Sequence, residues 1–144
     1  MIETKLNVRL LRRIQAHILR EPKRLFMSHL VLRRDNCLIK KGRFVTRYPT
    51  PNSWGESDPL VPECGTVACI AGWACELTPK HTGNYTMKDA RLYLSLPAGY
   101  GRNDLFMVSG WPEPFKSQYS AARTPTRRVK VAVARIDHLI ATGE

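Results

Sequence analysis

Between Cys64 and Cys75 the chain reads CGTVACIAGWAC, twelve residues without a charged side chain. A stretch that is apolar on every side has to be covered on every side. It falls short of the ~18–20 apolar residues that cross a bilayer, so the interior that receives it must be the protein's own. The pattern predicts a buried central helix over about 64–77, ended by Thr78-Pro79. Ala68 and Gly72 stand four apart and would give that helix a smooth face for close approach of another helix. Glycine inside a helix costs about 1 kcal/mol, so close packing has to offset it. No other run is long and apolar enough for a membrane, and the opening MIETKLNVRL has no signal-peptide core. A protein made and kept in a cytoplasm is the expectation, with no membrane partner.

The rest of the chain supplies what would surround such a helix. Its 144 residues suit one domain. A chain of that size buries roughly 68–70% of its unfolded surface and needs no metal or disulfide staple. An amphipathic helix is predicted from about Val8 to Leu19, with Asn7 as cap and Glu21-Pro22 as terminator. Leu10, Leu11, Ile14 and Ile18 share one third of its wheel, and Arg9, Arg12, Arg13 and Arg20 lie opposite. Leu25 to Leu32 reads as a second short helix. Leu38 to Val45 reads as a small β-hairpin turning at Lys41-Gly42. Residues 46–63, with Pro49, Pro51, Pro59 and Pro62, form a long loop.

Thr86 and Asp89 start a third helix that runs to Leu94, and residues 97–123 read as irregular. Thr124, Pro125 and Gly143 bracket the last helix. Its buried stripe is Val129, Ala132, Val133, Ile136, Leu139 and Ile140, with Arg127, Arg128, Lys130 and Arg135 outside it. The fold class expected is mostly α: a small single-domain helical fold whose central helix is wrapped by the first and last helices.

Charge points to a partner. The formal net charge is +11, from 23 Lys and Arg against 12 Asp and Glu. Residues 1–45 carry 12 of those cations and only 3 of the acids, whereas residues 46–90 carry 3 and 5. A basic end and a mildly acidic middle suit one face that meets an anion: nucleic acid, a nucleotide signal or an acidic host protein. Arg9, Arg12, Arg13, Arg20, Lys23 and Arg24 would supply the field. The basic helix lacks the bulky aromatic face of an interfacial membrane anchor.

The cysteines offer an alternative. Cys37, Cys64, Cys69 and Cys75 contain no CxxC pair, which argues against structural zinc, and the absence of a secretory signal argues against disulfides. No metal or cofactor is expected. Cys64 would stand at the N-terminus of the central helix, where a thiol becomes more acidic, as in a cysteine-dependent hydrolase. His17, His29, His81 and His138 are the available bases, His81 being nearest in sequence, but no orienting Asn or Asp is identifiable. The bland reading has Cys64 buried and inert, capping and packing the helix. The same helix start would offer the N–H groups of Gly65, Thr66 and Val67, with the Thr66 hydroxyl, to a phosphate or carboxylate. Trp54, in the loop, is the tryptophan freest to stack on a base. Trp73, among apolar neighbours, belongs to the core.

The segment Cys64-Gly65-Thr66, then Cys69-Ile70-Ala71-Gly72 and Ala74, resembles a family of small bacteriophage and bacterial proteins. The ending is similar too: Leu105-Phe106, Trp111-Pro112 and the run from Arg135 to Glu144. So is the early amphipathic helix followed by Glu21-Pro22-Lys23-Arg24 and Phe26-Met27. The likeness covers most of the chain apart from 36–63 and 97–123. It implies a phage-type accessory protein, acting in bacterial cytoplasm as a modulator of host processes or defence. It carries over no catalytic residue. A non-enzymatic binding protein is therefore the leading expectation, and a homo-oligomer is compatible with it.

Overall fold

Helix α1 spans Val8–Arg20 and starts as its cap residue dictates. Asn7 Oδ1 accepts the Leu10 N–H at 3.1 Å, while its Nδ2 donates to the Tyr93 carbonyl at 2.8 Å. One side chain thus caps the helix and ties it to a distant segment. Leu10, Leu11, Ile14 and Ile18 are buried, each contributing about 1.5–3 kcal/mol. A 3-10 turn, Pro22–Arg24, follows. The computed structural model describes residues 5–46, 51, 56–79, 81, 85–96 and 105–144.

The helix predicted over Leu25–Leu32 does not form; the chain runs from a bridge at Leu25 through a turn at Met27–Ser28 and a bend at Leu30 into a strand. Leu25, Phe26 and Met27 are all buried, and three consecutive residues cannot share one helix face. Phe26 N–H donates to the Ala68 carbonyl at 3.0 Å and Cys69 N–H to the His29 carbonyl at 3.0 Å. Strand β1, Val31–Arg33, then pairs antiparallel with Thr66–Ala68, with Leu32 opposite Val67. The hairpin forms as its turn residues suggest. Strands β2, Ile39–Lys40, and β3, Arg43–Phe44, are joined by Lys41 and Gly42, both at positive φ (53° and 75°). Phe44 N–H and Val61 N–H extend the pairing to the Pro59 and Gly42 carbonyls, so the end of the 46–63 loop lies along the hairpin. Residues 47–50 and 52–55 of that loop lie outside the described residues.

The 64–77 segment is not one helix. Gly65 turns at φ +78°, Thr66–Ala68 is strand β4, and helix α2 occupies only Ile70–Glu76, with Cys69 as its cap residue. Ile70 through Cys75 are buried, which satisfies the apolar pattern by a strand followed by a short helix. Gly72 does mark a close approach, but to extended backbone. A Cβ there would stand 1.7 Å from the Leu30 carbonyl oxygen. Helix α2 packs chiefly on α3, Met87–Leu94, and on α1. The last helix packs instead on α1, on the helix Phe115–Ala121 and on the 3-10 turn, so the first and last helices do not wrap α2 as a pair.

Thr86 Oγ1 accepts the Asp89 N–H at 3.0 Å and starts α3 as expected. Helix α4, Phe115–Ala121, falls in the stretch predicted to be irregular; Glu113 accepts the Ser117 N–H at 2.8 Å across its first turn. Residues 97–104 of that stretch lie outside the described residues. Helix α5, Pro125–Thr142, is capped by Thr124 and closed by Gly143 at φ +79°. Its stripe is as read, with Val133 and Ile140 only partly buried, except at Arg135, which is fully buried and donates from Nη2 to the Glu144 carbonyl at 2.7 Å. Gln15 pins α1 to α5, its Nε2 donating to the Val133 carbonyl at 3.0 Å and to Asp137 at 2.8 Å. The described residues thus form a mostly α fold, with five α-helices and two two-stranded antiparallel sheets.

Candidate anion-binding surface

The six cations singled out in the sequence do not share one face. Arg9, Arg13 and Arg20 do: at about 100° per residue they fall on one ridge of α1, and at 1.5 Å per residue they span about 16 Å. That ridge borders a hollow of about 520 Å³ lined by Arg9, Arg13, Leu77 and Tyr93 among others. A second hollow of about 440 Å³, lined by Arg13, Ala16, His17, Arg20 and Leu77, adjoins it. The two hollows adjoin at Arg13 and Leu77 and are together termed the α1 trough. Among the described residues, no carboxylate lines it. Arg13 donates to the Leu77 carbonyl at 3.0 Å, which holds it at the middle of the trough. Neither Arg9 nor Arg20 has a hydrogen bond or ion pair among the described residues.

The other three have different surroundings. Arg12 faces α5 and meets Asp137 at 2.6 Å and Gln15 at 2.8 Å. The Asp137 carboxyl is held below its usual range, first by the hydrogen bond from Gln15 and then by Arg12. Arg24 is largely covered, paired to Glu21 at 3.2 Å and donating to the His17 carbonyl at 3.0 Å. It also lies 3.2 Å from His17 Nδ1; as arginine can only donate, Nδ1 accepts and the ring hydrogen sits on Nε2. The His17 ring rests against Trp73, centroids 4.2 Å apart. Burial, then the charges of Arg24, Arg20 and Arg13, push its pKa down to about 4. His17 is therefore a neutral ring in a cationic trough. Trp73 is core, as expected, with Nε1 donating to the Arg24 carbonyl at 2.9 Å.

The cysteine site is corrected on two counts. Cys64 is not at a helix N-terminus, since α2 begins six residues later, at Ile70. Nor is it buried: Cys64 is exposed, and its Sγ approaches the Thr66 carbonyl at 3.4 Å. His81 bonds the Tyr93 hydroxyl at 2.8 Å, His29 stacks on Phe26, and His138 lies beside Phe115. Among the described residues no imidazole bonds the Cys64 thiol. Gly65 and Thr66 do line a hollow with Cys64, but not as helix-start donors. Gly65 N–H is spent on the Pro62 carbonyl and Thr66 pairs with Arg33 across the sheet. Trp54, the third residue expected there, lies outside the described residues. Cys69 and Cys75 are buried, and burial raises both thiols, Cys69 to about 11.

A second cationic cleft was not legible in the sequence. It is lined by Lys23, Arg43, Arg123 and Arg128, which lie up to 105 positions apart and have no shared periodicity. Glu56, from the proline-rich loop, is buried beside it and accepts from Met27 N–H at 2.9 Å, the Ser28 hydroxyl at 2.8 Å and the Tyr119 hydroxyl at 2.8 Å. Burial pushes its carboxyl above the usual range against those three donors.

Among the described residues no helix is long and apolar enough to cross a membrane, and no group of three His, Cys, Asp or Glu could hold a metal ion. No family model, no curated protein and no solved structure matches this chain.

Proposed function

We propose that this protein is a non-enzymatic binding module for an anionic partner, with nucleic acid the leading candidate, and that the α1 trough is where it binds. The observation that carries this reading is the trough itself. Three arginines at helical spacing line two adjoining hollows in which, among the described residues, no carboxylate competes for them. Arginine in such a row neutralises successive phosphates and releases their counterions, a large entropic gain. Tyr93 in one hollow and neutral His17 in the other add surfaces on which a base can stack. An acidic protein segment or a free nucleotide would use the same cations. A nucleotide needs fewer of them and more aromatic wall. On the resemblance to phage proteins, such binding would serve an accessory role in a bacterial host, as a modulator of host processes or defence. A cysteine hydrolase has less support, because Cys64 lacks both the helix start and the base that would activate it.

The test is a fluorescence-anisotropy titration of labelled duplex and single-stranded oligonucleotides across a range of salt, with polyglutamate as the protein-like polyanion. Binding should weaken by roughly 0.9 log units per decade of salt for each duplex phosphate contact, or about 0.7 for single strands. The Arg9→Ala/Arg13→Ala/Arg20→Ala variant should lose most of that slope. Binding to no polyanion at low salt, or an unchanged slope in the variant, would overturn the reading.

A further inference from the structure

The cleft of about 230 Å³ beside Glu56 brings four cations together from four separate places. Lys23 comes from the 3-10 turn, Arg43 from β3, Arg123 from the link before α5, and Arg128 from the first turns of α5. Leu25, Phe26 and Pro59 give it an apolar lining. Two acids also border it, Glu56 and Asp58, and both have internal donors. Glu56 receives the three donors named above, and Asp58 Oδ1 receives the N–H and hydroxyl of Thr46, the N–H at 2.9 Å. Arg43 gives one N–H to the Asp58 carbonyl at 3.0 Å and keeps the rest of its fork. Lys23 and Arg123 are exposed, and neither has a hydrogen bond or ion pair among the described residues.

We propose that this cleft is a binding site for a phosphate monoester, separate from the α1 trough. The charge and the size select that class. At neutral pH a phosphate monoester carries close to two negative charges on three terminal oxygens. Arg128 is already drawn to the Glu56 carboxyl, but a phosphate monoester fits exposed Lys23 and Arg123 with the open part of the Arg43 fork better than a single carboxylate, which carries half the charge. Arginine forks bind such oxygens in pairs, and a lysine adds a compact charge. A cleft of about 230 Å³ is smaller than the roughly 300–1,000 Å³ of sites for drug-sized ligands. It admits the phosphate and the first atoms attached to it. Such a group comes either from a small phosphorylated metabolite or from the 5′ end of a nucleic acid strand.

Isothermal titration with inorganic phosphate and with ribose 5-phosphate tests the site directly. The Lys23→Ala/Arg123→Ala variant removes two exposed cations without touching the core, and its thermal unfolding is checked alongside. Saturable binding should weaken by about tenfold or more in this variant, as loss of charge-assisted hydrogen bonds implies. It should be unchanged in the Arg9→Ala/Arg13→Ala/Arg20→Ala variant, so the outcome is independent of the trough. Short oligonucleotides with a 5′-phosphate or a 5′-hydroxyl, compared in that trough variant, identify the source. Preference for the phosphorylated end assigns the site to strand ends; equal binding, with ribose 5-phosphate still bound, assigns it to small metabolites. Absence of saturable binding of inorganic phosphate and ribose 5-phosphate, or equal affinity in the Lys23→Ala/Arg123→Ala variant, would overturn the proposal.

Discussion

Arg9, Arg13 and Arg20 on one side, and Arg12, Arg24 and Arg135 on the other, are the same residue type doing opposite work. The first set borders an open trough without a carboxylate. The second set is engaged by other parts of the fold. Arg12 meets Asp137, Arg24 meets Glu21 and the His17 carbonyl, and Arg135 is fully buried and meets the Glu144 carbonyl. An arginine whose donors are taken by the fold contributes to holding helices together. One whose donors remain in water contributes field, and the energy of using it appears only when an anion arrives. Net charge therefore overstates the binding surface. Part of this protein's +11 is internal scaffolding.

The largest effect that separates the two sets is on binding. Replacing Arg9, Arg13 and Arg20 together by alanine should cut the duplex salt slope by about 2.7, three contacts at about 0.9 each. Stability should stay within about 0.5 kcal/mol per substitution by urea unfolding, as expected for exposed sites. Loss of stability without loss of slope would erase the distinction. Next comes Arg135→Ala, which empties buried volume and strips the Glu144 carbonyl of a donor. It should cost about 3 kcal/mol, with little change in the salt slope. Arg24→Ala follows at about 2 kcal/mol, from a largely covered ion pair and the donor to the His17 carbonyl. The same change should raise the His17 pKa, readable from its ring signals in an NMR titration, because Arg24 is the leading charge holding it down.

A pH profile sharpens the comparison further. His17 is depressed from 6.5 to about 4, so between those values the unfolded chain binds the extra proton and the native one does not. Its contribution is complete above about pH 6.5 and is lost as pH falls towards 4. Glu56 acts in the opposite sense. Its raised carboxyl favours the folded state at low pH, and that benefit fades as pH rises above 4.5. A His17→Gln variant should therefore lose the acid-side decline belonging to His17 and leave the Glu56 component. The smallest effect expected is Arg12→Ala, whose partner is half exposed: about 0–1 kcal/mol, with a double-mutant cycle against Asp137→Ala measuring the pair.

Elements whose signals are local were legible from the chain alone. Asn7, Thr86 and Thr124 cap the helices they were read to cap, Gly143 closes the last one, and Lys41-Gly42 turns the hairpin. Each of these acts on backbone within about one helical turn of itself, so neighbouring residues are enough to reveal it. The arginine ridge is equally local, because helical spacing alone puts Arg9, Arg13 and Arg20 together. Leu25–Leu32 and Cys64–Ala68 defeated the same method. An apolar run satisfies a buried strand as readily as a buried helix, and only its partner decides which.

That partner lies in another part of the chain. Phe26 N–H and the Ala68 carbonyl are 42 residues apart, and the segment that their pairing docks leaves no room for a side chain at Gly72, where the Leu30 backbone passes. Arg12 and Arg135 became structural, and Lys23, Arg43, Arg123 and Arg128 came together, for the same reason. The sequence by itself determined which residues are cations, which stripe of α1 is apolar and where most helices begin and end. The tertiary structure alone decided which cations are consumed by Asp137, Glu21 and backbone carbonyls, and which are left to face an anion. Burial and long-range hydrogen bonds distribute those donors, and neither is written in local spacing.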